Sequence, residues 1–114
     1  MEFAYKVKAI VLDLDGTLLN SHKAVSERSK KAILAAHERG IKIIYATARP
    51  PRSVDSFIAK ELQEIASIVY YNGALTVDNL LGYRKHYPIE QAITVKILNY
   101  IHMHQPEVHV SIES

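Results

Sequence analysis

Two aspartates stand one residue apart in the segment AIVLDLDGTLL, residues 9 to 19, directly after an apolar run. Burying a carboxylate without a partner is costly, and two carboxylates this close push one pKa upward. A bound cation or a phosphoryl group would offset both penalties. Asp13 and Asp15 can point to the same side if the backbone between them stays extended, and Gly16 permits a sharp turn after them. The pattern therefore predicts a site for a cation and for phosphoryl chemistry.

A second polar cluster, ATARP, follows the apolar segment that ends near residue 47. Thr47 offers a hydroxyl group there, and Ala48 offers a backbone N–H. Because adjacent strands lie about 4.8 Å apart, Thr47 could bind an oxygen of a group attacked by Asp13 if the two strands are neighbours. An alternative stays open for each of two residues. Thr47 could be an ordinary strand-end residue, and Arg49 could be a surface charge rather than a substrate contact.

Three apolar segments predict strands, and the two segments between them predict helices. The strands are expected at residues 9 to 12, 41 to 47 and 67 to 71, the last one ending in a turn at Asn72 and Gly73. Asn72 is a candidate substrate contact, although the turn explains it more simply. We expect the first strand to be covered on both faces, as in a parallel sheet. The order β-α-β-α-β predicts an α/β fold with right-handed crossovers, in which ligands bind at the carboxyl ends of the strands.

The predicted helices carry recognisable end signals. The first follows Ser26 as its N-cap, and Gly40 stands where the residue after the C-cap belongs. The second follows the two prolines of RPPRSVDSFIAKEL, with Ser53 as its expected cap.

The sequence changes character after Gly73. LTVDNLLGYRKHY predicts a hairpin that turns at Asp78 and Asn79, and EVHVSIE alternates like a half-buried strand at residues 107 to 113. Between them, isoleucines recur every fourth residue, which predicts one apolar helix face: Ile89, Ile93, Ile97 and Ile101. These elements are too few to bury that face well. We therefore predict two parts: residues 1–82 form part of a core domain, and residues 83–114 begin a second, incomplete one.

The composition excludes several classes of function. The chain has 114 residues, of which 48% are hydrophobic, and its net charge is only +2, so nothing indicates a partner such as nucleic acid or an anionic membrane. No apolar stretch approaches the roughly 20 residues of a spanning helix. The chain contains no cysteine, which excludes disulfides and thiolate metal sites and fits a cytoplasmic location.

The motifs together resemble those of the haloacid dehalogenase (HAD) superfamily of phosphotransferases. Residues 13 to 17, DLDGT, match its first motif, D-x-D-G-T, and Thr47 after an apolar strand matches its second. TAR at 47 to 49 and YYNGA at 70 to 74, followed by a hairpin, resemble the Cof-type subgroup, whose cap domain is inserted after the third strand. That subgroup usually has T-G-R, so Ala48 is a departure. The resemblance implies the N-terminal half of a three-layer, Rossmann-like parallel core, followed by the beginning of an α+β cap.

The resemblance also implies a mechanism and a cofactor. Asp13 would attack phosphorus and form an aspartyl-phosphate, and Asp15 would protonate the leaving alcohol and later activate water. Mg²⁺ would be held by the Asp13 carboxylate and the Asp15 backbone carbonyl. The backbone N–H groups of Leu14 and Ala48 and the Thr47 hydroxyl would hold phosphoryl oxygens. The parent protein would then be a Mg²⁺-dependent phosphatase of a small phosphorylated metabolite.

The family's lysine motif and its downstream acidic pair are not found in these 114 residues. We therefore expect the chain to be a truncated and poorly active part of such an enzyme. Two other functions stay open: a non-catalytic remnant that binds phosphate or protein, and a receiver-type phosphoacceptor domain. The receiver type needs an acidic residue at the end of the third strand, where this chain has Tyr71, Asn72 and Gly73.

Two further expectations concern metal binding and association. His102, His104 and His109 could suggest a metal site, but positions two apart on a helix face different ways, so solvated histidines are the simpler interpretation. In the family, the first strand is flanked by strands built from the C-terminal part. Strand edges at residues 8 to 13 and 107 to 112 would then be unpaired, which predicts dimers, exchanged segments or aggregation.

Overall fold

The computed structural model describes residues 6–113 as five strands and four helices. The strands and helices follow the chain order predicted for the first three strands. In chain order the elements are β1 Ala9–Asp13, α1 Glu27–Glu38, β2 Lys42–Ala46, α2 Pro51–Phe57, α3 Lys60–Glu64, β3 Ala66–Tyr70, β4 Leu75–Asp78, β5 Tyr83–His86 and α4 Gln91–His104. One wide π-type turn, Leu14–Leu18, follows β1, and one 3₁₀ turn, Tyr71–Gly73, follows β3.

The strands form one mixed sheet in the order β1-β2-β3-β4-β5. The first three strands are parallel, as predicted, and β4 and β5 add an antiparallel hairpin to the side of β3. Asp13 pairs with Ala46, and Ala46 pairs with Val69, so the three parallel strands end side by side. This register places the residues after β1 next to those after β2.

The core lies on one face of the sheet. Ile43 and Tyr45 of β2 and Ile68 of β3 point to that face, and they pack in one cluster with buried side chains of α1, α2 and α3. The hydroxyl group of Tyr45 donates a 2.9 Å hydrogen bond to the carbonyl of Leu62 in α3, and burial raises the pKa of Tyr45 to about 12. These contacts hold the helices against this face of the sheet.

Strand β1 is less covered than predicted. It lies at the edge of the sheet and has no fully buried residue. Val11 is 63% exposed, and its neighbour Ile44, on the same face of the sheet, is only partly buried. The expectation that β1 is buried on both faces is wrong for this chain, because the described helices α1, α2 and α3 cover the opposite face.

The first helix has the predicted ends. The side chain of Ser26 accepts a 3.1 Å hydrogen bond from the backbone N–H of Ser29, and Gly40 adopts a positive φ of 80° after the C-cap residue Arg39.

The second helical segment differs from the prediction. It begins at Pro51 with Pro50 as the N-cap residue, so Ser53 lies inside the first turn instead of capping it. An extended Ile58 (φ −111°, ψ 121°) then separates α2 from α3. The break lets Val54, Ile58 and Leu62 all enter the core.

The hairpin turn lies slightly later than predicted, at residues 79 to 82. Asp78 is the last residue of β4 and pairs with Tyr83. Its carboxylate accepts hydrogen bonds from the backbone N–H groups of Leu80 and Leu81, at 3.0 and 2.9 Å. Asp78 therefore caps the turn from its edge, because an acidic side chain can hold the N–H groups that follow it.

The last part of the described chain stays exposed. Helix α4 has no buried residue, Ile89 precedes it, and Ile93 and Ile97 face solvent. Residues 107 to 112 form no strand, so that prediction is wrong: no strand of the described sheet pairs with them, and alternation alone does not form a strand. Since β5 still pairs with β4, the boundary after residue 82 stays a prediction. None of the described helices is long and apolar enough to cross a membrane.

Candidate active site

The two aspartates lie where the sequence predicts, at the carboxyl end of β1. Asp13 and Asp15 both have extended backbones (φ −72°, ψ 147° and φ −68°, ψ 125°), and Leu14 between them is fully buried. Asp13 is exposed and Asp15 is partly exposed, so both carboxylates are accessible at this end of the sheet. Gly16 adopts a φ of 74°, which turns the chain sharply away from β1.

The carboxylate of Asp13 makes fewer hydrogen bonds than that of Asp15. The hydroxyl of Thr17 donates a long hydrogen bond of 3.3 Å to its Oδ2. Within residues 6–113, the ion pairs of this site involve Asp15 and none involves Asp13. An exposed carboxylate without a cationic partner is available as a nucleophile or as a ligand for a hard cation.

Asp15 is held by two cations. Arg49 donates from Nε to Oδ2 at 2.6 Å and from Nη2 to Oδ1 at 3.0 Å, and Lys23 Nζ lies 2.9 Å from Oδ1. These hydrogen bonds, that of Arg49 first, lower the pKa of Asp15 to about 2 and keep its carboxylate ionised. The same pair raises the pKa of Arg49. The Arg49 guanidinium also lies over the Phe57 ring, with Cζ 4.9 Å from its centroid, so both Asp15 and Phe57 hold the guanidinium in place.

Thr47 and Ala48 lie at the end of the neighbouring strand. Thr47 is buried, and its N–H donates to the carbonyl of Val69 at 2.9 Å, which continues the ladder between β2 and β3. Its hydroxyl oxygen accepts a 3.0 Å hydrogen bond from the N–H of Arg49. Because that bond uses a lone pair, the hydroxyl hydrogen stays available for an oxygen of a ligand. Ala48 is exposed.

Asn72 approaches the same loop through its backbone. Its N–H donates a 3.0 Å hydrogen bond to the carbonyl of Thr47, and its φ of 55° lies in the left-handed region. The predicted turn is therefore present. The side chain of Asn72 is exposed and makes no hydrogen bond within the described part of the chain.

Lys23 was not among the site residues that the sequence predicts. It lies on a flap, residues 19 to 25, whose two ends are joined by a bridge between Leu19 and Val25. Inside the flap, the Asn20 side chain accepts hydrogen bonds from the backbone N–H groups of His22 and Ala24, at 2.9 and 3.2 Å. This turn gives Lys23 a φ of 58° and returns its ammonium group to Asp15. The sequence signal that could have indicated this contact is the turn-forming Asn20 with Lys23 three residues after it.

The metal donors in this chain suit magnesium in type. The carboxylate of Asp13 and the backbone carbonyl of Asp15 are oxygen donors, which Mg²⁺ prefers, and the Asp13 carboxylate is open. They would fill two positions of an octahedral shell. Among residues 6–113 there is no cluster of three His, Asp or Glu side chains that could hold a metal. The interpretation of His102, His104 and His109 as solvated histidines stays a prediction. Tyr100 stacks on His104 with ring centroids 4.3 Å apart.

This fold and this site define a class of protein. A parallel α/β unit that presents a D-x-D-G-T turn after its first strand, and a threonine beside it after its second, is the core arrangement expected of HAD hydrolases. The family model of haloacid dehalogenase-like hydrolases matches residues 10–114, and this chain belongs to that family.

Individual relatives agree with this assignment. The chain is 40% identical over 70 residues to "Putative phosphatase YxeH" of Bacillus subtilis (strain 168). The matched segment covers 60% of this chain and 26% of that protein. It is 31% identical over 68 residues to the 5-amino-6-(5-phospho-D-ribitylamino)uracil phosphatase YcsE of the same organism, covering 60% and 27%. A crystal structure of a haloacid dehalogenase-like hydrolase from Bacteroides thetaiotaomicron matches with a TM-score of 0.72 and 32% identity, over 86% of this chain and 38% of that one. The chain thus spans about a quarter of the length of these curated relatives.

Proposed function

We propose that this chain carries the nucleophile and the acid-base residue of a Mg²⁺-dependent phosphatase of the Cof type, acting on a small phosphate monoester. The observation that carries the proposal is the asymmetry of the two carboxylates. Asp13 is open and lacks a cation among the described residues, whereas Asp15 is held by Arg49 and Lys23. Two adjacent carboxylates in different environments suit two different roles.

In the first step, an oxygen of Asp13 would form a bond to phosphorus while the ester P–O bond breaks. The leaving oxygen takes the proton of the Asp15 carboxyl group, which becomes a carboxylate. In the second step, that carboxylate takes a proton from water as the water oxygen attacks phosphorus and the bond to Asp13 breaks. Inorganic phosphate leaves, and both aspartates return to their starting protonation states.

The remaining residues would hold the phosphoryl group. The Thr47 hydroxyl and the N–H groups of Leu14 and Ala48 would bind its oxygens as negative charge shifts between them. Mg²⁺, held by the Asp13 carboxylate and the Asp15 carbonyl, would supply positive charge that offsets the repulsion between Asp13 and the phosphate.

Arg49 has a further consequence for the acid. While it donates two hydrogen bonds to Asp15, the carboxylate stays ionised and cannot give a proton. Protonation of Asp15 therefore requires the Arg49 guanidinium, and the Lys23 ammonium group with it, to turn toward another anion. A phosphate monoester supplies such an anion, and Arg49 is then a substrate contact.

The named relatives support a small-molecule substrate. YcsE is named as the phosphatase of a phosphorylated ribitylamino-uracil, a phosphate ester on a sugar-alcohol chain. We propose the same broad class here, a phosphorylated metabolite rather than a protein or a nucleic acid. The net charge of +2 offers no strong field for a polyanion.

The experiment measures hydrolysis of a panel of phosphate monoesters, with and without Mg²⁺, by a protein of the relatives' length that contains this chain. Asp13→Asn is the matched variant, because the amide has nearly the same shape and cannot form the aspartyl-phosphate. We expect wild-type turnover and none above background in the variant. Equal rates in both proteins would contradict the assignment of Asp13, and phosphate binding without turnover in either would favour the non-catalytic alternative.

The 114-residue chain itself is expected to be almost inactive. Loss of a single preorganised electrostatic group typically costs about a hundred- to a thousand-fold in rate, and the family's lysine and acidic pair are both missing from this sequence. Turnover by this chain well above its Asp13→Asn variant would show that groups within these residues, or in a partner chain, replace the missing motifs.

A further inference from the structure

The turn after β3 has an unusual backbone. Three successive residues, Tyr71, Asn72 and Gly73, have positive φ values of 50°, 55° and 109°. This region is unfavourable for residues with a Cβ atom, most of all for a bulky one such as tyrosine, and asparagine tolerates it better than most. Strained backbones of this kind persist where the surrounding structure requires them, often at functional sites.

This turn ties the loop after β2 to β3. The N–H of Tyr71 donates to the carbonyl of Arg49 at 3.3 Å, and the N–H of Asn72 donates to the carbonyl of Thr47 at 3.0 Å. With the bond from Thr47 N–H to Val69, the loop of residues 47 to 49 has three attachments on its β3 side.

The second of these bonds fixes a peptide plane in the candidate active site. The carbonyl of Thr47 and the N–H of Ala48 belong to one peptide unit, and in a trans peptide these two groups point in opposite directions. The structure has no cis peptide bonds in its described residues. Since the Thr47 carbonyl points to Asn72 on the β3 side, the Ala48 N–H points to the opposite side of β2. That side is occupied by β1, which ends in Asp13.

We propose that Asn72 is a positioning residue, whose left-handed backbone, rather than its side chain, aims the Ala48 N–H at the phosphoryl oxygen beside Asp13. This inference rests on the proposed phosphoryl site. It gives the exposed Asn72 side chain no contact with substrate, and it makes the backbone conformation at residue 72 the feature on which anion binding depends.

Four substitutions separate a backbone role from a side-chain role. Asn72→Gly removes the side chain and adopts positive φ readily. Asn72→Asp keeps the shape and the tolerance for positive φ, but it removes the amide donor and adds a negative charge. Asn72→Val introduces a β-branched residue that strongly disfavours this region, and Asn72→Ala disfavours it less.

The experiment titrates the ¹⁵N-labelled chain, in Mg²⁺, with inorganic phosphate and follows the backbone amide signals of Ala48 and Leu14. We expect the Ala48 signal to shift in wild type, and the dissociation constant of the glycine variant should lie within about twofold of the wild-type value. The aspartate variant carries an added negative charge but should still bind phosphate more tightly than the valine variant. The valine variant should bind phosphate about tenfold more weakly or worse, as expected for loss of a hydrogen bond to a charged group. Unchanged amide signals of Ile43 and Val69 confirm that each variant is folded.

Several outcomes would overturn the proposal. They are an Ala48 signal that does not respond to phosphate in wild type, a glycine variant as impaired as the valine variant, or a valine variant that binds normally. If Asn72→Val fails to fold, Asn72→Ala takes its place, and the comparison of the glycine variant with wild type still decides whether the side chain matters. The same titration of Asp13→Asn keeps the result separate from catalysis, because that variant cannot form an aspartyl-phosphate.

Discussion

The guanidinium group of Arg49 donates two hydrogen bonds to the carboxylate of Asp15, at 2.6 Å and 3.0 Å, across the gap between the loops after β1 and β2. Lys23 approaches the same carboxylate from the flap. One carboxylate thus joins three segments that are distant in sequence. Leu19 and Val25 anchor the two ends of the flap in the core, and the Lys23 contact holds its exposed middle beside Asp15.

The first prediction concerns the charge state of Asp15. Without metal, we expect its pKa to lie near 2 in the chain, since hydrogen bonds from Arg49 and Lys23 stabilise the ionised form. Arg49→Met should raise this pKa toward the ordinary value of 3.8, and Lys23→Met should raise it by less, because the Arg49 contact is the larger cause. The measurement is an NMR titration of the Asp15 side-chain carboxyl carbon.

Arg52→Met is the matched control for this titration. Arg52 pairs with Glu113 and not with Asp15, so its removal should leave the Asp15 titration unchanged. A normal pKa of 3.8 for Asp15 in the wild-type chain would show that the ion pairs with Arg49 and Lys23 do not persist in solution.

The difference between Asp15 and Lys23 shows what the sequence can and cannot predict. Asp13 and Thr47 were predicted because each directly follows an apolar run and the carboxyl ends of parallel strands meet, and Asp15 was predicted because it lies two positions after Asp13. Lys23 reaches Asp15 only through the tertiary path of a flap, which no local periodicity records. The strand prediction for residues 107 to 112 was wrong for the opposite reason. The local alternation of apolar and polar residues is clear, but a strand forms only when another strand pairs with it.

The second prediction concerns the buried hydrogen bond between β2 and α3. Tyr45 is fully buried, and its hydroxyl donates to the carbonyl of Leu62. Tyr45→Phe leaves that carbonyl without its donor, which should lower the free energy of unfolding by about 1–3 kcal/mol. Urea denaturation measures the change. Tyr100→Phe, at an exposed position on α4, should have almost no effect, and equal effects of the two variants would contradict the role of Tyr45.

The third prediction concerns Asp78, the most enclosed carboxylate in the described chain. It accepts hydrogen bonds from Lys42 Nζ at 2.5 Å, from Ser67 Oγ at 2.6 Å and from two backbone N–H groups of the turn. These contacts, that of Lys42 first, hold its pKa well below the ordinary value. Asp78→Asn should lower the free energy of unfolding by about 1.5–3 kcal/mol at neutral pH.

The pH dependence of that loss follows from the direction of the shift. Below pH 3.8, the ordinary pKa of an aspartate, the unfolded chain binds a proton at Asp78 while the folded chain does not. Acid therefore favours unfolding in this pH range. The stabilisation by Asp78 is therefore complete above that pH and declines as the pH falls below it. The difference in unfolding free energy between wild type and Asp78→Asn should shrink in the same window. A difference that stays constant from neutral pH to about pH 2 would show that ionisation of Asp78 does not contribute.

The fourth prediction concerns association of this chain through its first strand. We propose that β1 pairs with a second copy, because it lies at the sheet edge and carries Val11, which is 63% exposed, beside the partly buried Ile44. Unpaired edges with apolar side chains promote pairing, and a charge on such an edge prevents it. Val11→Lys should therefore shift the chain toward monomer in light scattering across a concentration series. Val95→Lys, at a similarly apolar and exposed position on helix α4, is the control and should leave association unchanged. A wild-type chain that stays monomeric at the highest concentration, or an equal response to both substitutions, would contradict pairing through β1.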